Sequence, residues 1–264
     1  MCRLGAAGSG HFPIILMILM VVTLAFTYIW AVVRKDVDPV FPYISSTGNR
    51  RPESCVFGQL LNFGAFLSLI VIYLRFRLVA ELCRDADRIL TRMNQLGLFL
   101  GSMSAFGMSL VANFQETAVL TVHLTGAFTC FGSGVAYGVL QTAVTYRMYP
   151  LYNGLRIVWI RGVLSVVAVV AMISGTSLGS VAASEFRKAN PGKPIPHPWG
   201  RNDAGWLLHS MSAVFEWILV TSFGLFQLSF TRDFEKLRVG VAVEPLVQHL
   251  DHDPVPTPPR VLDR

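Results

Sequence analysis

The chain has 264 residues, of which 53% are hydrophobic and 14% charged. A water-soluble domain carries about 25% charged residues, so this composition, with a positive mean hydropathy, excludes an ordinary soluble protein. The net charge of +6 does not point to nucleic acid, because the arginines are spread over connections with no zinc-finger spacing and no basic run interleaved with aromatics.

A helix needs about 20 predominantly apolar residues to cross ~30 Å of hydrocarbon, and six segments meet that condition. In chain order they lie at 13–33, 56–74, 95–112, 120–143, 160–182 and 206–229. The first exceeds the roughly 7–15 apolar residues of a signal peptide and ends in Arg34-Lys35 instead of a small-residue cleavage site, so it reads as a retained span. The second contains Gln59 and Asn62, the fourth His123 and Cys130. Trp159 and Arg161, at the start of the fifth, read as an interfacial anchor. The sixth holds His209 and Glu216, and "FTRDFEKL" after it reads as a solvated helix end.

These elements predict an all-α integral membrane protein: a short cytoplasmic N-terminus at 1–12, a six-helix domain at 13–230, and a disordered cytoplasmic tail at 231–264. Orientation follows from the basic residues. Of the 22 lysines and arginines, 14 fall on the side of the termini and 8 on the other, which places both termini in the cytoplasm, although Arg34 and Lys35 lie on the minority side. A basic cytoplasmic face would also attract anionic lipid. The four cysteines do not make a disulfide framework, since Cys2 and Cys83 fall on the cytoplasmic side, Cys130 within a span and Cys55 at the outer edge.

Small residues at helical spacing should mark helix interfaces in a bilayer, where close backbone approach drives packing. Gly126, Cys130, Gly134 and Gly138 form such a stripe, as do Ala168, Ala171, Gly175 and Gly179, and Gly97 with Gly101. Packing within one chain is favoured over a homodimer face.

A carboxylate within a span is costly unless paired, protonated or hydrated, so Glu216 should face the bundle. His209 lies two helical turns earlier on the same face. With Asn62 and His123 these residues form a candidate intramembrane polar cluster. It reads either as a pocket for a lipid headgroup, ion or proton, or as interhelical hydrogen bonds that fix helix register, and the second is preferred. The histidines and Glu216 lack metal-ligand spacing. No nucleophile elbow, zinc-protease motif or phosphate-binding loop occurs, so no catalytic residue, metal or cofactor is expected, and the chain does not read as an enzyme.

The stretch "PVFPYISSTGNRRPESCVFG", 39–58, lies outside the cytosol in this topology. Its prolines and the turn chemistry around Gly48 predict a structured turn over the outer mouth of the bundle, with Cys55 entering the second helix as a small packing residue. The fifth connection, rich in proline, should be extended and pack over the same helix ends.

Together "PYISSTG" and "PESCVFG" in the first loop, "ANFQ" after the third span, "WIR" opening the fifth, the spacing from His209 to "EW", and "RDF" after the sixth resemble the DRAM group, the damage-regulated autophagy modulators, which stand with the transmembrane-protein-150 proteins in a larger superfamily. The resemblance runs from about Pro39 to Phe234, and the chain departs from it at Ser46, where the family commonly carries an acidic residue. It implies a multi-pass regulator of autophagy, and in some members of cell death, in the lysosomal membrane, working through protein or lipid contacts. Other relatives imply a plasma-membrane scaffold for a phosphoinositide kinase or for lipid organisation. A channel or transporter component is the alternative that the polar residues themselves suggest. Pro42, Tyr43, Gly48, Pro52, Glu53 and Cys55 carry over as a signature of the first loop, without an assigned role.

Overall fold

The computed structural model describes residues 8–83 and 87–240. The N-terminal Cys2 and the tail beyond Gly240 lie outside the described residues. The architecture is all-helical: α1 His11–Val33, a 3-10 turn Ser45–Gly48, α2 Glu53–Cys83, α3 Arg88–Asn113, α4 Leu120–Arg147, α5 Leu155–Ala189, α6 Trp206–Leu228 and the one-turn α7 Thr231–Phe234. Six helices are long and apolar enough to cross a membrane, the sixth counted through α7.

Each helix packs on the next in sequence, and α1 closes the ring against α6. The residue pattern explains which faces meet. On α5, Ser165, Ala168 and Ala171 are buried, whereas Val163, Val166, Val170 and Ile173 are exposed. Small side chains thus face the bundle and large branched ones face outward, where a bilayer would cover them. The glycine stripes work within the chain. A Cβ at Gly107 of α3 would stand 2.4 Å from the Cys130 backbone nitrogen of α4, so only glycine permits this approach. Hydroxyl side chains in the spans satisfy themselves on the preceding turn: Thr23 donates to the Leu19 carbonyl, Thr27 to Thr23 and Ser222 to Ile218.

The two ends of the bundle close differently. Where the described termini meet, Ser9 donates through both its N–H and its hydroxyl to the Leu237 carbonyl, each at 3.0 Å. Beneath this strap, Arg75 of α2 and Arg161 of α5 are 1% and 0% exposed and share one carboxylate, Asp233 of α7. Arg75 Nη1 lies 3.1 Å and Arg161 Nη2 2.7 Å from Asp233 Oδ2. The remaining guanidinium nitrogens donate to Gln141 Oε1, Thr145 Oγ1, Ser229 Oγ and the Ser229 carbonyl. Both cations also stand over the Phe230 ring, at 5.2 and 4.5 Å from its centroid.

This arrangement corrects two expectations. Arg161 is not an interfacial anchor; it is wholly enclosed, because a partner for its charge arrives from α7. "FTRDFEKL" is not a solvated exit: Phe230 and Phe234 are fully buried, and α7 occupies the first residues of the expected tail. The second apolar segment stops at Leu74 only because the next residue is charged, and the helix itself continues to Cys83.

Candidate functional site

The opposite end is built from the 34–52 connection, which is tied down along its length. Tyr28 of α1 donates to the Pro39 carbonyl at 2.8 Å, and Trp217 of α6 to the Pro42 carbonyl at 2.9 Å. Tyr43 OH meets Ser212 Oγ at 2.5 Å, and the Ile44 N–H donates to Glu216 Oε2 at 2.8 Å. Thr47 is buried between the Ile44 carbonyl and Thr27 Oγ1, and Asn49 Oδ1 accepts from both the N–H and the hydroxyl of Thr117. Gly48 lies against Phe57 so closely that a Cβ would overlap the ring. The loop is therefore a cap on α1, α2 and α6.

Cys55 departs from expectation. Glu53, Ser54, Phe57 and Gly58 take the buried face of the first turns of α2, which leaves Cys55 on the exposed face. Glu53, 1% exposed, lies 2.8 Å from Arg34 Nε. That pair is electrostatic contact without a hydrogen bond, because the Arg34 Nε–H is directed to Asp36 Oδ2.

A second layer comes from the fifth connection. Trp199, 7% exposed, stacks on His209 with ring centroids 4.4 Å apart and planes at 13°, and Tyr43 meets the same imidazole edge-on at 4.7 Å. Gly205, at φ 85°, turns the chain into α6; a Cβ there would stand 2.6 Å from the Ala182 carbonyl oxygen, so the turn requires glycine. Between this segment and the cap lies a cleft of about 250 Å³. Its walls are aromatic, from Phe41, Tyr43, Trp199, Trp206 and His209, and its polar groups include Asp36, Asp38, Ser46, Asn49, Arg50 and Thr117.

Charge in the cleft is unevenly compensated. Asp36 is paired with Arg34 at 3.2 Å and with Arg50 at 2.9 Å, whereas Asp38 accepts from the Val40 N–H and, among the described residues, has only the exposed Arg201 as a cationic partner, at 3.3 Å. Tyr43 is held protonated: burial pushes its hydroxyl up to about 12, against the opposing effect of its hydrogen bond to Ser212.

The four polar residues singled out in the spans find separate partners, and no hydrogen bond joins any two of them. Asn62 exchanges hydrogen bonds with Asn113 and accepts from Ser109, binding α2 to α3. His123 Nδ1 meets the Phe114 carbonyl at 2.7 Å. His209 packs in the aromatic wall, and Glu216 receives the cap. Trp199, Trp206 and Asp38 escaped the sequence reading; Trp199, directly after Pro198 in a proline-rich connection, was the available signal. Among the described residues no three His, Cys, Asp or Glu side chains converge to hold a metal ion.

Fold and site together define a polytopic helical membrane protein with a structured first loop over one mouth and a buried arginine pair at the other. The chain belongs to the Frag1/DRAM/Sfk1/Cwh43P N-terminal domain family, which it matches over residues 8–237. It is 38% identical over 240 residues to DNA damage-regulated autophagy modulator protein 2 of Bos taurus, covering 89% of this chain and 87% of that one. It is 34% identical over 240 residues to DNA damage-regulated autophagy modulator protein 1 of Homo sapiens, covering 90% and 95%. With Modulator of macroautophagy TMEM150B-B of Xenopus laevis it shares 36% over 195 residues, 72% of this chain and 71% of that one. No solved structure matches the chain.

Proposed function

We propose that this protein is a multi-pass regulator of autophagy in the lysosomal membrane, with both termini in the cytosol, acting by contact with proteins or lipids and not by catalysis. The observation that carries this reading is the identity, sustained over about nine-tenths of the chain, to proteins named autophagy modulators. Two further features support the mode of action. Asn62 and Glu216 are used in joining helices and holding the cap, and the exposed surface of the helices is apolar, suited to lipid. In the proposed topology the cleft faces the lysosomal lumen and the arginine pair faces the cytosol.

The test is deletion in cells, with autophagic flux measured by turnover of a lipidated autophagosome marker and a tagged copy imaged against lysosomal and plasma-membrane markers. Reduced flux, restored by a copy at lysosomes, is expected. Normal flux with the protein confined to the plasma membrane would overturn the reading.

A further inference from the structure

Two residues that line the cleft, Asp38 and Trp206, already share a cation that the chain supplies. The Arg201 guanidinium carbon lies 5.9 Å from the Trp206 ring centroid, while Arg201 Nε lies 3.3 Å from Asp38 Oδ2. An indole face and a carboxylate are the two elements that recognise an organic ammonium group: the ring quadrupole attracts the positive charge and the carboxylate neutralises it. Arg201 itself is 61% exposed and Asp38 23%, and an ion pair with one partner so open to solvent is weak, so this internal cation is readily exchanged for another.

The rest of the cleft suits such an exchange. Asp36 is committed to Arg34 and Arg50, which leaves Asp38 as the carboxylate available to a ligand. Trp199, His209 and Tyr43 form a preformed aromatic wall. Phe41 stands at the rim, 54% exposed, with φ 43°. A bulky non-glycine residue in that region is strained, and such strain persists only where its surroundings enforce it, commonly at ligand sites. A volume of about 250 Å³ falls just below the ~300–1,000 Å³ typical of small-molecule pockets, which fits a headgroup or a small amine. Asn49 Nδ2 and the Arg50 nitrogens not taken by Asp36, on the same cleft, offer donors to an anionic group attached to the ammonium.

We propose that this cleft binds an organic ammonium group between Trp206 and Asp38, and that Arg201 is an internal competitor which the ligand displaces. The group belongs either to a free amine or to a choline-type phospholipid headgroup. The proposal goes beyond the autophagy reading and is tested separately, since a binding experiment can fail while the flux phenotype stands.

The experiment uses the purified full chain in detergent, titrated with tetramethylammonium chloride and followed by tryptophan fluorescence, with sodium chloride at matched ionic strength as the control. Saturable quenching specific to tetramethylammonium is expected. Arg201→Ala should tighten the midpoint roughly two- to fivefold, the value of losing an exposed cation–π contact to the competitor. Asp38→Asn keeps the acceptor for the Val40 N–H and should weaken binding, and Trp206→Leu should abolish it. Circular dichroism melts confirm that each variant folds. Nanodiscs separate the sources: in phosphatidylcholine, compared with an uncharged glycolipid, a higher midpoint for tetramethylammonium identifies the lipid headgroup, and equal midpoints identify a free amine. Absence of saturable quenching, or an Arg201→Ala variant that binds the same or more weakly, overturns the proposal.

Discussion

At the end where the described termini meet, two buried guanidinium groups converge on a single carboxylate, whereas at the opposite end the cap is tied to the helices by single bonds to backbone and hydroxyl groups and its arginines, Arg34, Arg50 and Arg201, are largely exposed. The first arrangement concentrates charge: Arg75, Arg161 and Asp233 come from α2, α5 and α7, and each depends on the others. The second distributes it among separate contacts to α1, α2, α6 and the 114–119 connection. Burying an ion is expensive and becomes tolerable only with good geometry and satisfied donors, so a charge-dense knot has few neighbouring structures of similar energy. Losing one of several neutral hydrogen bonds costs far less. The knot therefore suits a fixed closure, and the cap, with its cleft, suits an exchangeable surface.

The largest effect should follow from Asp233→Ala. It leaves two enclosed cations without a counter-charge, and breaking a buried pair by removing one partner costs about 3–5 kcal/mol. Thermal melting of the purified protein in detergent measures this. Adding Arg161→Met to the Asp233→Ala protein should recover part of the loss, because one uncompensated charge is then removed. A variant that melts like the parent would show that Asp233 does not hold the knot, and the contrast between the ends would fall with it.

Legibility in the sequence follows the same division. Apolar runs of sufficient length reveal the helices whatever their tertiary partners, and glycine or alanine at helical spacing reveals their inner faces. The ordered cap was also legible, from the prolines and Gly48. The knot was not. A charged residue at the edge of an apolar run ends the segment in any hydropathy reading, so Arg75 marked a boundary and Arg161 an anchor. The carboxylate that brings both inside lies 158 and 72 residues away in sequence. These two arginines also entered the topology argument as loop charges; with them inside the bundle the balance is 12 against 8, still in the same direction. Cys55 was misplaced for a local reason. The helical phase of α2 is set by Phe57 and Gly58, and Cys55 lies on the other face.

At the cap, Glu216→Ala should cost about 1–3 kcal/mol, since it strips the Ile44 N–H of its acceptor. Glu216→Gln retains an amide oxygen and should cost much less. Equal losses from the two substitutions would make Glu216 a charged element of the cap and erase the distinction between the ends. Tyr43→Phe should cost about 1 kcal/mol by removing the bond to Ser212. The hydroxyl also predicts a pH dependence. Its folded value, about 12, stands above the ordinary tyrosine value, so the protonated form stabilises the fold fully below pH 10. That contribution declines between pH 10 and 12 as the unfolded chain ionises. Absorbance titration of tyrosinate should show one fewer late-ionising group in Tyr43→Phe.

The smallest effect sharpens the comparison by placing an exposed ion pair near the buried one. Asp87 caps α3, accepting from the Ile89 and Leu90 N–H groups, and receives Arg147 Nε at 2.6 Å. The Arg147 guanidinium, and then these N–H groups, hold the Asp87 carboxyl below the usual aspartate value. The sign is therefore opposite to that of Tyr43: the stabilising contribution is present above the unfolded value near 4 and is lost as pH falls through the lower folded value. Because the pair is exposed, salt should weaken it as well. Asp87→Asn should lower the melting temperature slightly at pH 7, and its difference from the parent should shrink below pH 4 or in 1 M salt. The Asp233→Ala difference should largely survive the same salt, since both guanidinium groups are enclosed and Asp233 is only 17% exposed. If both differences respond to salt alike, burial is not what separates the two kinds of charge in this bundle, and the knot owes its strength to Thr145, Ser229 and Gln141 instead.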